Sequence, residues 1–208
     1  MFRGPNATQR IFEIIEFALE QGRPLTDAEI FALRRRRRND CATVIAKGDA
    51  LPDAVFLTMT SRGPQHISVA DVFEQKTVAL FAVPGAFNPV SHYSHLPGFL
   101  DAAPELKRAG VDTIACTSVN DVFVLDEWAA VSSARDHVLF LADGNADFAA
   151  AVGMLFNARS LAMGTRSVRY AMLVRNRVVD ILHIEPDSRE AEFSSAATLL
   201  QVMASHQA

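Results

Sequence analysis

Ser91 stands in the run Pro84-Gly85-Ala86-Phe87-Asn88-Pro89-Val90-Ser91-His92-Tyr93-Ser94-His95-Leu96-Pro97-Gly98-Phe99, and its neighbours decide what a hydroxyl there could do. A serine oxygen is almost wholly protonated near neutral pH and becomes a nucleophile only when a base activates it. His92 is adjacent, but adjacent residues on a helix point in different directions. The Gly-x-Ser-x-Gly elbow of serine hydrolases is absent. His92 and His95 lie three apart and could share a helical face, as metal ligands do, yet no third ligand is close in sequence. Neither a hydrolase nor a metal centre is expected. Thiol chemistry would need Cys41 or Cys116, the two cysteines of the chain. Cys116 falls in an apolar stretch, where a thiol is usually a small hydrophobe. Cys41 follows the run Arg34–Arg38, whose positive charge would favour a thiolate.

These residues must be held by the elements around them. Val78–Val83, Val111–Cys116 and Val138–Ala142 read as buried strands, separated by helices near Ser91–Ala109 and Asp121–Ser133. Pro97 and Pro104 should bend or interrupt the first of those helices. Arg169–Val174 and Val178–Ile184 flank Arg175-Asn176-Arg177, the pattern of an antiparallel hairpin. Ser194–Ala204 reads as a closing helix. Strand and helix alternating, then a hairpin and a helix, predicts an α/β thioredoxin-like fold.

Residues 1–45 form a separate piece. Ile11, Ile14, Ile15, Ala18 and Leu19 recur at helical spacing. Gly22 and Pro24 break that helix, and Thr26-Asp27-Ala28-Glu29 has the capping-box pattern that starts a second. A helical hairpin is predicted, ending in Arg34–Arg38, where positive charge suits a helix C-terminus. The same run would also suit an acidic partner, nucleic acid or anionic lipid. Residues 1–46 hold eight arginines against six acids, while the chain as a whole carries −4. The extension could therefore dock on its own acidic domain.

With 208 residues, 50% of them apolar, the chain can support one full domain plus that extension. Runs such as Thr77–Val83 are far too short to span a bilayer, no secretory leader is evident, and two cysteines make no disulfide framework. A cytoplasmic protein is expected.

The segment from Pro84 to Phe99 resembles the active-site stretch of the type-5 (type II, redoxin) peroxiredoxins, in which a Pro-Gly-Ala-Phe-Thr-Pro-x-Cys run precedes His-Leu-Pro-Gly-Phe. Further blocks in the same order strengthen the likeness, from about Lys47 to the C-terminus: Lys47–Asp53, Cys116–Val124 with Trp128, Leu141–Gly144, Gly164–Met172 and Ile184–Asp187. The resemblance implies a redoxin domain over 46–208, with the active-site arginine at Arg169. It also puts Ser91 where the peroxide-attacking cysteine belongs, and Asn88 where its partner threonine does. Val90 departs from the pattern too, which marks divergence spread over neighbouring positions.

That departure changes the chemistry implied. A peroxidatic thiolate attacks a peroxide oxygen and becomes a sulfenic acid, and serine has no equivalent oxidation state. The expectation is a pseudo-peroxidase acting by binding or assembly. The alternative is residual glutathione- or thioredoxin-dependent peroxidase activity through Cys116 or Cys41. In the family a helix start and the arginine stabilise an anion, so a small anion between Ser91 and Arg169 is a further expectation. No cofactor or metal is implied. A homodimer is expected, because relatives commonly dimerise and an amphipathic hairpin offers apolar surface that must be buried somewhere.

Overall fold

The computed structural model describes residues 44–205. The predicted hairpin over 1–45, the run Arg34–Arg38 and Cys41 lie outside the described residues, apart from the last two positions of the hairpin range.

The centre of the fold is β3 (Thr77–Val83), in which every residue from Val78 onward is buried. A strand apolar at every position needs cover on both faces, and it receives it. β3 pairs in parallel with β4 (Thr113–Ser118), which pairs in parallel with β5 (Leu139–Ala142). On its other edge β3 takes β8 (Tyr170–Arg175), which forms a hairpin with β9 (Val178–Ile184). The hairpin turn carries positive φ at both Asn176 and Arg177, the conformation whose twist matches paired strands. A second hairpin, β1 (Val55–Thr60) and β2 (Gly63–Ser68), completes a seven-stranded sheet of order β2-β1-β5-β4-β3-β8-β9. A small ribbon, β6 (Leu155–Asn157) with β7 (Thr165–Ser167), stands apart from it.

Helices cover both faces. α1 (Val69–Phe73) starts on a capping box in which Ser68 and Asp71 satisfy each other's backbone amides. It shares one core with α5 (Asp147–Ala151), where Phe73 and Phe148 lie with Leu80, Tyr170 and Met172. The opposite core gathers Phe81 and Cys116 from the sheet with residues of α2 (Leu96–Asp101), α3 (Ala103–Arg108), α4 (Val122–Val131) and α6 (Ala196–Ser205). Asp121 caps α4, accepting from the amides of Phe123 and Val124.

The proline expectation holds with a refinement. Ser91–His95 is a wide π turn running directly into α2, closed by the amide of Leu96 donating to the Ser91 carbonyl. Pro97 follows in the first turn of α2 and Pro104 in the first turn of α3. A proline ring crowds the carbonyl four residues before it, and widening the preceding turn relieves that contact. Among the described residues the predicted strands and helices are present, with ends displaced by up to two residues. β4 starts at Thr113, α6 at Ala196, and β8 at Tyr170, so Arg169 immediately precedes its strand.

Candidate functional site

The chain enters the site through Asn88, whose carbonyl accepts the amide of His92 at 2.8 Å and opens the helix. Ser91 therefore sits in the first turn. Its side chain is completely buried, and its Oγ accepts from Nη2 of Arg169 at 3.2 Å. The family resemblance singles out these two residues, 78 positions apart, and their side chains are in contact here.

Arg169 is 1% exposed, and its guanidinium makes four hydrogen bonds to three partners. Nε and Nη2 both donate to the Ser188 carbonyl at 3.2 Å, and Nη1 donates to Nδ1 of His95 at 3.0 Å. Arginine has no acceptor, so His95 Nδ1 must carry the lone pair. Nε2 is then the protonated nitrogen, donating to the Ser194 carbonyl at 2.9 Å. Burial first, and the Arg169 charge second, hold the His95 pKa down from 6.5 to about 3. The imidazole is neutral and neither of its nitrogens is free to act as a base. Burial likewise lowers Arg169 to about 10, against the opposing pull of Glu185.

The chain of contacts continues to the C-terminal segment. Ser194 donates from its amide at 2.7 Å and from its Oγ at 2.9 Å to the same oxygen, Oε1 of Glu185. The Glu185 amide donates to the Arg169 carbonyl at 3.0 Å. Glu185, Ser194, His95, Arg169 and Ser91 thus form one buried polar string. Sequence reasoning missed the roles of Glu185, Ser188 and Ser194. The available signal was an acid directly after an apolar strand, followed by a serine pair ahead of a helix.

The other predicted residues are placed differently. The Asn88 amide packs beside Gly85, where a Cβ would meet its Oδ1 at 3.3 Å, and it makes no hydrogen bond to Ser91 or Arg169. His92 turns away from Ser91, accepting at Nδ1 from Nε1 of Trp128 at 3.0 Å. Among the described residues no three metal-ligating side chains cluster. Cys116 is wholly buried, paired across the sheet with Phe81 and Phe140. Burial drives its thiol pKa far up, and Arg169 offsets this only in part. The anion expectation meets a closed geometry. Ser91 and Arg169 are both buried, and the Ser188 carbonyl and His95 already lie on the guanidinium. A cavity of about 700 Å³ opens elsewhere, between β1, α4 and β5, and Ser91, Asn88 and Arg169 do not line it.

A central mixed sheet between two helical layers, with a buried arginine aimed at the first turn of a helix, defines a thioredoxin-like α/β protein of the peroxiredoxin type. Residues 46–200 match the Redoxin family model. The chain is 38% identical over 160 residues to the hybrid peroxiredoxin hyPrx5 of Haemophilus influenzae, covering 76% of this chain and 66% of that protein. It is 37% identical over 160 residues to peroxiredoxin-2D of Arabidopsis thaliana, covering 76% of this chain and 98% of that one. Among solved structures it is similar to reduced Prx3 of Vibrio vulnificus in complex with hydrogen peroxide, at 42% identity and a TM-score of 0.73, covering 77% and 99% of the two chains. Peroxiredoxin 5 of Alvinella pompejana is similar at 30% identity and a TM-score of 0.68, with coverage of 77% and 99%. The chain belongs to the peroxiredoxin family, within the redoxin group. Among the described residues no helix is long and apolar enough to cross a membrane.

Proposed function

We propose that this chain is a pseudo-peroxidase, a member of a hydroperoxide-reducing family that acts by binding or assembly. One observation carries the reading: the side chain that Arg169 addresses in the first helical turn is a serine hydroxyl, 3.2 Å from Nη2. A hydroxyl cannot form the sulfenic acid that peroxide reduction by this route requires. The surroundings of Cys116 support the same reading. A thiol sealed between Phe81 and Phe140, with its pKa raised by burial, has neither access to peroxide nor thiolate character.

Self-association fits the surface beside the site. Phe87, Tyr93 and Phe123 are exposed, and Tyr93 is 78% so. Phe87 leans over His92 and Trp128 at ring separations of 5.8 and 6.4 Å. We take a homodimer in the cytoplasm as the working state. Small-anion binding at Ser91 and Arg169 is, in this reading, weak, because it requires the Ser188 segment to open.

Hydroperoxide consumption by the full-length protein, with glutathione or thioredoxin as reductant, tests the proposal. Wild type is expected at baseline. Ser91→Cys combined with Asn88→Thr is expected to raise consumption at least about a hundredfold, or ~2.7 kcal/mol of barrier at ~1.36 per tenfold. Wild-type turnover that disappears on Cys116→Ala or Cys41→Ser would overturn it.

A further inference from the structure

The buried string contains a charge whose role the family likeness does not supply. Glu185 is 5% exposed, and its Oε1 takes both donors of Ser194 while Oε2 is buried without a partner among the described residues. A half-satisfied carboxylate away from water is costly. It persists where something nearby benefits from its charge, and the nearby group is Arg169. The two backbones are joined by the Glu185 amide on the Arg169 carbonyl. The two side chains are joined through Ser194 and His95, each link between 2.7 and 3.0 Å. His95 can accept from Arg169 only while Nε2 keeps its proton, and it keeps that proton by donating to the Ser194 carbonyl. Ser194 is held in turn by Glu185. The orientation of the guanidinium toward residue 91 is therefore set from its far side, together with the Ser188 carbonyl on Nε and Nη2.

We propose that Glu185 is a positioning residue of the Ser91 site: acting through Ser194 and His95, it aims the Arg169 guanidinium at residue 91 and supplies that cation's buried counter-charge. The inference rests on the reading of Ser91 as a position built for an anion. It goes beyond that reading by naming what holds the cation. The charged or titratable groups coupled to Arg169 are Glu185, across the β8–β9 hairpin, and Cys116 on β4; His95, beside Ser91, is held neutral by it.

The experiment places a reporter at the site. In full-length protein carrying Cys41→Ser and Ser91→Cys, the titration of the introduced thiol is followed by the ultraviolet absorbance of its thiolate, with the Cys41→Ser protein as blank. Glu185→Gln keeps the acceptor for Ser194 and removes the charge, so the pKa of the introduced thiol is expected to fall by about one unit as Arg169 acts unopposed. Glu185→Leu removes acceptor and charge together, freeing Arg169 to turn away, and the thiol pKa is expected to rise. Shifts of opposite sign are the signature, since a merely structural loss would move both variants the same way. Should Glu185→Leu fail to fold, as judged by near-ultraviolet circular dichroism, Glu185→Gln decides alone. An unchanged pKa in Glu185→Gln, or equal shifts in both variants, overturns the proposal. If instead the introduced thiol titrates at its ordinary value with Glu185 intact, the failure lies with the reading of Ser91 as an anion position.

Discussion

Two buried regions on either side of β3, one beside β8 and one on β4, treat polar chemistry in opposite ways. Around Arg169, burial comes with partners: Ser188, His95 and Ser91 receive the guanidinium, and Glu185 faces it through Ser194. Around Cys116, burial comes with hydrocarbon, from Phe81 and Phe140 on the adjoining strands. The first region has the apparatus for stabilising an anion and no thiol. The second has a thiol and no such apparatus. Burial does not decide reactivity by itself; partners for the charged form do. On the proposed reading activity needs both in one place, and among the described residues they are apart.

The largest expected break in that contrast is Arg169→Met. Methionine roughly fills the space, but the Glu185 carboxylate is left buried without its cation. The Ser188 carbonyl and His95 Nδ1 also lose their charged donor, at about 1–3 kcal/mol for each buried group left unsatisfied, read as a lower denaturant midpoint in equilibrium unfolding. A loss below about 1 kcal/mol, the size of an ordinary surface pairing, would show that Arg169 is not the hub of the string.

The hub and its target were legible in the sequence. The resemblance of the Pro84–Phe99 and Gly164–Met172 blocks to peroxiredoxins pointed to Ser91 and Arg169, and the unbroken apolar runs placed the central strands. The rest was hidden for physical reasons. β2, Gly63–Ser68, is an edge strand that opens on Gly63 and Pro64 and carries a single aliphatic side chain of strand-forming type, Ile67, so its pattern does not read as a buried strand. α5 has five residues and a start set by Asp143, which accepts from the amides of Phe148 and Ala149; so short a helix leaves no periodicity to detect. Glu185 and Ser194 act through contacts with His95 and Arg169 that only the closed fold creates. His92 and His95 looked equivalent three residues apart, and tertiary partners separated them. Trp128 took one, and Arg169 with Ser194 took the other.

A smaller effect comes from His95. Its folded pKa, about 3, lies below its ordinary 6.5, so the unfolded chain binds the proton more readily. The resulting stability is present above pH 6.5 and drains away as pH falls toward 3. At about 1.4 kcal/mol per pH unit, this amounts to roughly 3 kcal/mol by about pH 4. His95→Gln keeps an acceptor for Arg169 and a donor for Ser194 and does not titrate, so its stability should fall less steeply over that range. Parallel acid profiles for the two proteins would show that His95 is not the proton acceptor of this region.

The smallest effect tests the other region. Cys116→Ala leaves a modest void among Phe81 and Phe140, at a cost of about 1 kcal/mol, and leaves the Arg169 string untouched. Its informative signature lies at alkaline pH. The folded thiol pKa is raised well above the ordinary 9.0, so Cys116 contributes no loss below that value. As pH rises past it, the unfolded chain ionises while the folded one does not, and stability declines at up to about 1.4 kcal/mol per unit. Tyr170, also raised by burial, adds a similar decline only above its ordinary 10.0. Between about pH 9 and 10, therefore, Cys116→Ala should flatten the wild-type stability profile. An unchanged slope there would mean that the Cys116 thiol ionises as readily in the folded protein as in the unfolded chain. Cys116 would then have thiolate character, and the separation of thiol from anion-stabilising apparatus would no longer describe this molecule.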